Sequence, residues 1–592
     1  MIVGKKGLLS SVSFGREHPR LDVFIIVVSV FAVIIFARLF FLQIFRAQFY
    51  RALASGQHEI FSELFPERGE ILAYDQGAGA PVVFAGNKQF GFAYADPRKI
   101  TDAEATANTL AQVFDKKIEN EDDAAWVEDL KNRLSKKDDP YEPIMKRVED
   151  DKLNQLDELD LPGIYYVREQ SRVYPEGGLG GHILGFVGSD TDGSFAGKYG
   201  VEGYFDSLLS GEAGFAESVR DAAGRIIAFA KNDFTPAKDG ADIVLTIDRT
   251  LQYVVCTKLR DAVRKHGADG GSVIIIEPST GRILAMCGSP DFDPNEYAKQ
   301  NSVSVYNNPA IFLDYEPGSV FKPITMSMAL DRGVLSPYDT YEDTGLIVID
   351  GHEIKNSDEA AHGTQTMTQV LEQSLNTGAI YSMRKVGRDI FQKYVSDYGF
   401  GKLTGIELDT ESNGNVSTLN EPSEVYSATA SYGQGITVTP LQLAMAYAAI
   451  ANSGKLMKPM IVDEIRYSDG TVEKRSPQTV RQVISEKAAR TLGAMLVSVV
   501  ERGHGTKAGV SGYYIAGKTG TAQIPRKDGR GYEENAAIGT FAGFGPASDP
   551  KFAMVVRIDR PRTTIWAEST AAPLFGDLAK YLIQYYRIPK ER

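Results

Sequence analysis

Residues 272–290 read SVIIIEPSTGRILAMCGSP, two apolar runs on either side of Ser279-Thr280-Gly281. Aliphatic and β-branched runs flanking a glycine-containing turn predict a β-hairpin. Just upstream, DIVLTID (242–248) reads as a short strand. The next segment places Leu251, Val254, Val255, Leu259 and Val263 at helical spacing, which predicts a helix from Arg249 to Lys265. Far downstream, YYIAGKTGTAQ (513–523), AAIGTFAGFGP (536–546) and KFAMVVRIDRP (551–561) again read as strands, and a helix is expected from Ala571 to Tyr586. Helical sequence fills the long interval between. The fold class is therefore α+β: one large domain whose antiparallel sheet is assembled from both ends of residues 241–592 and flanked by helices.

The whole chain has 592 residues, with 64 Lys+Arg against 77 Asp+Glu, a net charge of −13. That length implies roughly three to four domains. With 43% hydrophobic and 24% charged residues, the composition is that of a packed protein, which excludes disordered, collagen-like and multi-span membrane chains. The acidic balance excludes nucleic acid as a charge-based partner, since that affinity rests on clustered Lys and Arg. Only Cys256 and Cys287 are present, and no HExxH or CxxC pattern occurs. Neither a metal nor a cofactor is expected, and the two cysteines are expected as buried free thiols, one on a helix and one on a strand.

Residues 23–45, VFIIVVSVFAVIIFARLFFLQIF, are uncharged but for Arg38. At about 1.5 Å per residue they span roughly 35 Å, enough to cross a hydrocarbon core of about 30 Å. Lys5, Lys6, Arg16 and Arg20 precede this segment, so residues 1–22 are expected in the cytoplasm and everything beyond the anchor outside it. No small-residue cleavage site follows, which makes 23–45 an uncleaved signal anchor, with Arg38 snorkelling to the outer interface. Residues 46–240 form a mixed domain. Its stretch from Asp115 to Asp160 is helix-prone, with sixteen acidic against nine basic side chains, and is expected as a solvated helical face. Composition shifts at Asp239-Gly240, which sets the boundary with the domain 241–592.

The chemistry sits in YEPGSVFKPIT (315–325). Pro317-Gly318 breaks the chain just before an apolar-periodic run, so Ser319 and Lys322 are expected in the first turn of a helix, on one face. A serine becomes a useful nucleophile with a base beside it. Lys322 serves if burial, the helix N-terminus and a second ammonium lower its pKa from about 10.4. SxxK alone is weak, since a chain of this length holds it roughly twice by chance. A second copy, Ser382 and Lys385, lacks the Pro-Gly break and is set aside as surface helix. What raises the first copy is its company in order: Ser374-Leu375-Asn376, then Lys518-Thr519-Gly520-Thr521. Ser374 can relay a proton between Lys322 and a leaving group, and Asn376 can hold a peptide amide. On an edge strand Lys518 supplies positive charge, Gly520 permits close approach of a substrate backbone, and Thr519 and Thr521 offer hydroxyls to a carboxylate. The backbone N–H groups of Ser319 and Thr521 are the candidate oxyanion hole.

These three motifs resemble those of the penicillin-recognising serine acyltransferases. The longer phrases PERGEIL (66–72), RVYPEG (172–177), GVEGYFD (200–206), LTIDRTLQ (245–252), PDFDPN (290–295), YGQG (432–435) and TPLQLAMAYAAIANSG (439–454) narrow the resemblance to a class B penicillin-binding protein. The resemblance implies an elongated pedestal at 46–240 and a transpeptidase domain at 241–592. Ser319 would be acylated by stem peptides ending in D-alanyl-D-alanine, and β-lactams would be trapped there. Class A relatives carry a glycosyltransferase domain, and 46–240 shows none of its catalytic motif. Glycan polymerisation then falls to a membrane glycosyltransferase of the shape, elongation, division and sporulation type. SLN as second motif points to septal synthesis and divisome partners rather than an elongation-type role. Asp75 lies two residues further from Ile71 than in the commonest pedestal pattern, and Leu375 replaces the usual small residue. The competing readings are a D,D-carboxypeptidase, a β-lactamase, for which no deacylating EXXXN-like loop stands out, and a non-catalytic scaffold or β-lactam sensor.

Overall fold

The computed structural model describes residues 59–592 apart from 118, 190–194, 220–233 and 527–530, together with helical positions 31, 32 and 35. The expected anchor at 23–45 otherwise lies outside the described residues. Among those described, no helix is long and apolar enough to cross a membrane.

The chain divides into two compact units. The described part of the smaller, drawn from residues 1–66 and 212–238, is an antiparallel sheet in which Gly214–Val219 lies between Glu59–Leu64 and Phe234–Thr235. The larger unit comprises residues 67–211 and 239–592. Within it the long strand Val82–Ala95 pairs antiparallel with Ile164–Val173 and with Glu142–Val148. Helices Ala103–Val113, Glu121–Leu134 and Asp150–Leu159 cover this ribbon. Leu110, Leu130, Leu134, Leu153 and Leu156 meet Ile144 and Val148 in a small core of their own. Glu121, Asp122 and Asp123 fill the first turn of their helix, where carboxylates complement its positive end. The acidic stretch thus turns Leu130, Leu134, Leu153 and Leu156 inward and most of its charges outward, although Glu142 is buried and Leu159 exposed, and it includes a strand, Glu142–Val148, that its composition did not suggest.

One sheet joins strands from both sides of position 240. Asp242–Asp248 lies parallel to Ile71–Tyr74 on one side and antiparallel to Val462–Arg466 on the other. Asp75, the residue displaced from the commonest pattern, accepts from Gly77 N at 2.8 Å and meets Thr250 Oγ1 at 3.3 Å and Arg249 Nη1 at 3.5 Å.

A second sheet of the larger unit has five strands, β1 (Gly270–Ile276), β2 (Ile283–Ser289), β3 (Ala516–Pro525), β4 (Tyr532–Gly545) and β5 (Phe552–Asp559), in the order β2-β1-β5-β4-β3. All neighbours are antiparallel, and both ends of residues 241–592 contribute, as expected. The β1–β2 turn places Gly281 at φ 81°, a left-handed conformation open to glycine without strain. Of the helices α1 (Arg249–His266), α2 (Lys322–Asp331), α3 (Asn376–Val386), α4 (Pro440–Ala451), α5 (Glu486–Arg502) and α6 (Ala571–Tyr585), α1, α4, α5 and α6 pack on the sheet, α2 packs on α5 and α3 packs on α2. Asp248 caps α1 by accepting from Leu251 N at 2.9 Å, and Leu251, Val255 and Leu259 are fully buried. Helix α4 is buried on every side from Pro440 to Ile450, so it is an interior helix rather than an amphipathic one. Helices α1 and α6 pack on the sheet and on each other, as do α4 and α5.

One expectation is overturned. Cys256 on α1 and Cys287 on β2 are buried as expected, yet they form a disulfide, with an S–S distance of 2.04 Å and Cα atoms 5.3 Å apart. Helix α1 lies directly on β2, and this proximity is set by packing and leaves no trace in the spacing of the two cysteines.

Candidate active site

Segments far apart in the chain converge beside the edge strand β3. The first is Gly318–Phe321, a 3₁₀ turn leading into α2, whose first residue is Lys322. Ser319 thus precedes the α-helix instead of lying in its first turn. The cause is Pro323: an α-helical bond to the Ser319 carbonyl would come from residue 323, which has no N–H, so Lys322 N closes the tighter turn on Ser319 O. Gly318 N donates to Gly433 O at 2.9 Å and the Tyr447 hydroxyl to Val320 O at 2.8 Å, fastening this turn on both sides.

Lys322 is 1% exposed, while Ser319 is half-buried. Lys322 Nζ donates to the carbonyl of Ser374 and to its hydroxyl at 3.1 Å. Among the described residues no hydrogen bond joins Lys322 to the Ser319 hydroxyl. Burial first, and the neighbouring Lys518 charge second, hold the Lys322 ammonium well below its usual range. Lys518 is fully buried on β3, donates to Thr519 O at 3.1 Å, and is pushed down to about 7 by burial. Two mutually repelling ammonium groups removed from water are a means of making one of them a base.

Ser374 lies just before α3 with φ 61°, a left-handed conformation that costs a non-glycine residue of order 1 kcal/mol or more. Asn376, the first residue of α3, is half-buried and donates its side-chain amide to Lys355 O at 2.7 Å. Thr519 is nearly buried, and Thr521 is half-buried and accepts from Ala567 N at 3.1 Å through its hydroxyl. A Cβ on Gly520 would stand 3.0 Å from Val320 N and 3.1 Å from Pro317 O. The close approach of the nucleophile turn itself is a further reason for the glycine, beside the substrate approach expected. The discarded second SxxK copy is on α3, but only Lys385 is at the surface; Ser382 is buried and bonds to Gly378 O at 2.9 Å.

The Penicillin binding protein transpeptidase domain family matches residues 271–580, more than half of the chain, and the Penicillin-binding Protein dimerisation domain family matches residues 63–245. The chain belongs to the class B penicillin-binding proteins. This class B protein is 36% identical over 522 residues to Stage V sporulation protein D of Bacillus subtilis, covering 87% of this chain and 78% of that one. It is 34% identical over 435 residues to Peptidoglycan D,D-transpeptidase FtsI of Escherichia coli K12, covering 73% and 70%. Among solved structures it resembles penicillin binding protein 3 of Mycobacterium tuberculosis complexed with aztreonam, with TM-score 0.68, 26% identity, and coverage of 90% of this chain and 98% of that one.

Other residues of this penicillin-binding protein join the site without having been picked out as functional. Glu316, three before the serine, accepts from Gly435 N at 2.9 Å and from the Tyr532 hydroxyl at 3.0 Å, and burial raises its carboxyl. It ties the YEPG and YGQG phrases together. YGQG was legible as a family phrase and YEPG as the break before Ser319, but their contact was not. A cavity of about 680 Å³ lined by Ile450, Ala489, Gly493, Val497 and Phe544 contains no residue of the three motifs and is not this site.

Proposed function

We propose that this penicillin-binding protein is a serine D,D-transpeptidase of peptidoglycan that works through an acyl-enzyme on Ser319 and is blocked there by β-lactams. The observation that carries the reading is Lys322: buried, lowered in proton affinity beside Lys518, and in contact with Ser374. Neutral Lys322 accepts the Ser319 Oγ proton as Oγ bonds to the carbonyl carbon of the penultimate D-alanine. Ser374 relays that proton to the departing D-alanine nitrogen as the peptide C–N bond breaks. The N–H groups of Ser319 and Thr521 hold the oxyanion, where one lost donor typically costs about 3 kcal/mol. Lys518, Thr519 and Thr521 take the terminal carboxylate, Asn376 takes a peptide amide, and Gly520 keeps the strand close to the nucleophile turn. An amine from a neighbouring stem peptide then attacks the acyl carbon and frees Ser319.

The names of the FtsI relative and of the aztreonam complex support this substrate and inhibitor class. The reading extends to a chain anchored at 23–45, with residues 46–240 as pedestal and 241–592 as catalytic domain, all outside the cytoplasm. The Cys256–Cys287 disulfide supports that placement, since such bonds persist in oxidising compartments. Septal synthesis with a membrane glycosyltransferase of the shape, elongation, division and sporulation type and divisome partners is the reading favoured by SLN and the FtsI relative. The sporulation relative supports a second one, wall synthesis during sporulation.

The test is labelling of the purified protein with a fluorescent penicillin. The parent is expected to hold the label through denaturation and Ser319→Ala to take none. An unlabelled parent or a fully labelled variant removes the assignment, and rapid loss of label moves it to a hydrolase.

A further inference from the structure

Helix α3 begins directly after the strained Ser374, and its cap position is Leu375, which offers no side-chain acceptor. The first N–H groups of a helix packed inside a protein need partners from elsewhere. These find one twenty positions upstream: Asn356 Oδ1 accepts from Asn376 N at 2.9 Å and from Thr377 N at 3.3 Å. Asn356 is 3% exposed, and its amide has one way to face. Its Nδ2 donates to the two carboxylate oxygens of Asp343 at 3.1 and 2.9 Å and to Ala360 O at 3.2 Å. A carboxylate only accepts, so the amide nitrogen is held on Asp343 and the amide oxygen is aimed at α3. Asp343 is fixed in turn, accepting from Thr377 Oγ1 at 2.7 Å and Gly345 N at 3.0 Å and meeting His362 Nδ1 at 2.8 Å. The residue before Asn356 takes the Asn376 side chain on its carbonyl.

We infer that Asn356, backed by Asp343 and placed just after the hairpin strands Leu346–Ile349 and His352–Lys355, is a positioning residue that caps α3 from outside and sets where Ser374 and Asn376 stand relative to Lys322. This rests on the roles proposed above for Ser374 and Asn376. The hairpin is then a working wall of the site, and substitutions in it act on acylation without touching substrate.

A loosened α3 start takes the Ser374 carbonyl and hydroxyl from the Lys322 ammonium. Acceptors favour the charged form, so their loss makes Lys322 give up its proton at lower pH. Amide hydrogen exchange and acylation by fluorescent penicillin are therefore measured together on the full chain. Asn356→Ala is expected to exchange faster at Asn376 and Thr377 and to acylate about tenfold more slowly, the size of one lost helix cap. The rising limb of its pH–rate profile should move to lower pH, which a merely looser fold would not do. Asp343→Asn puts an amide N–H₂ where a carboxylate oxygen accepted from Asn356, so it is expected to slow acylation severalfold and to move the rising limb the same way; this carries the test if Asn356→Ala fails to fold, and a parental rate and profile there overturns the positioning role. Unchanged exchange at Asn376 and Thr377 overturns the cap. Faster exchange with parental rate and pH profile overturns the positioning role. A parent that takes no label removes the catalytic reading and leaves the cap to be judged by exchange alone.

Discussion

Lys322 and Lys518 share one buried region, and there two ammonium groups resist being charged together. Burial first and the neighbouring Lys518 charge second hold Lys322 well below its usual range, and burial pushes Lys518 down to about 7. The contact of Lys322 with Ser374 and the place of Lys518 on the edge strand β3 fit the roles proposed above, Lys322 as base and Lys518 as cation for a carboxylate. The pH dependence follows with a definite sign. Acylation rises with pH as Lys322 becomes neutral and falls as pH passes about 7 and free Lys518 loses its charge. In Lys518→Ala the falling limb should vanish. The rising limb should move to higher pH, because removing a like charge lets Lys322 keep its proton longer. Labelling rates from about pH 5 to about pH 9 check this, and superimposable profiles for parent and variant would exclude Lys518 from the mechanism.

At the scale of elements, the disulfide clamps α1 to the hairpin strand β2, closing a loop across a separation of 31 residues. In the chain-entropy account, a loop of that length restricts the unfolded state by about 3–4 kcal/mol. Gln252 on α1 adds a second tie, donating to Met286 O at 2.7 Å and accepting from Met286 N at 2.9 Å. Cys256→Ser with Cys287→Ser is expected to lose roughly 3 kcal/mol of stability in non-reducing denaturant titrations while keeping fold and label. An unchanged midpoint, or two free thiols by mass spectrometry in the oxidised parent, contradicts this.

Across the larger unit, segments distant in sequence meet on one buried carboxylate. Glu202 is fully buried and faces Arg68 Nη2 and Arg172 Nε, each at 2.6 Å, with the Tyr174 hydroxyl at 3.3 Å. Arg68 also reaches Asp206 at 2.8 Å. Removing one partner of such a cluster leaves charge buried without compensation, at a cost of about 3–5 kcal/mol. Glu202→Ala should therefore lower the denaturation midpoint by that equivalent, yet below its midpoint it should still be labelled at Ser319, since none of these groups belongs to the three motifs. Parental stability in Glu202→Ala would show the cluster to be incidental.

How much could be read beforehand depended on the range of the interaction involved. The β1–β2 hairpin, the course of α1 and the strands that carry KTG and its neighbours follow from residue spacing and turn chemistry within a few positions. The order of the three motifs, with a Pro-Gly break before the first, singled out Ser319, Lys322, Ser374 and Lys518 as candidates, and the fold brings Lys322 against Ser374 and near Lys518. Packing settled the rest. Pro323 moved Ser319 into a 3₁₀ turn, α1 brought Cys256 to Cys287, Pro317 and Val320 crowded Gly520, and Asn356 reached across to cap α3. Spacing and turn chemistry repeat within a short window and so leave a pattern in the chain. A contact between residues tens or hundreds of positions apart leaves none, because it exists only once the layers between them have packed.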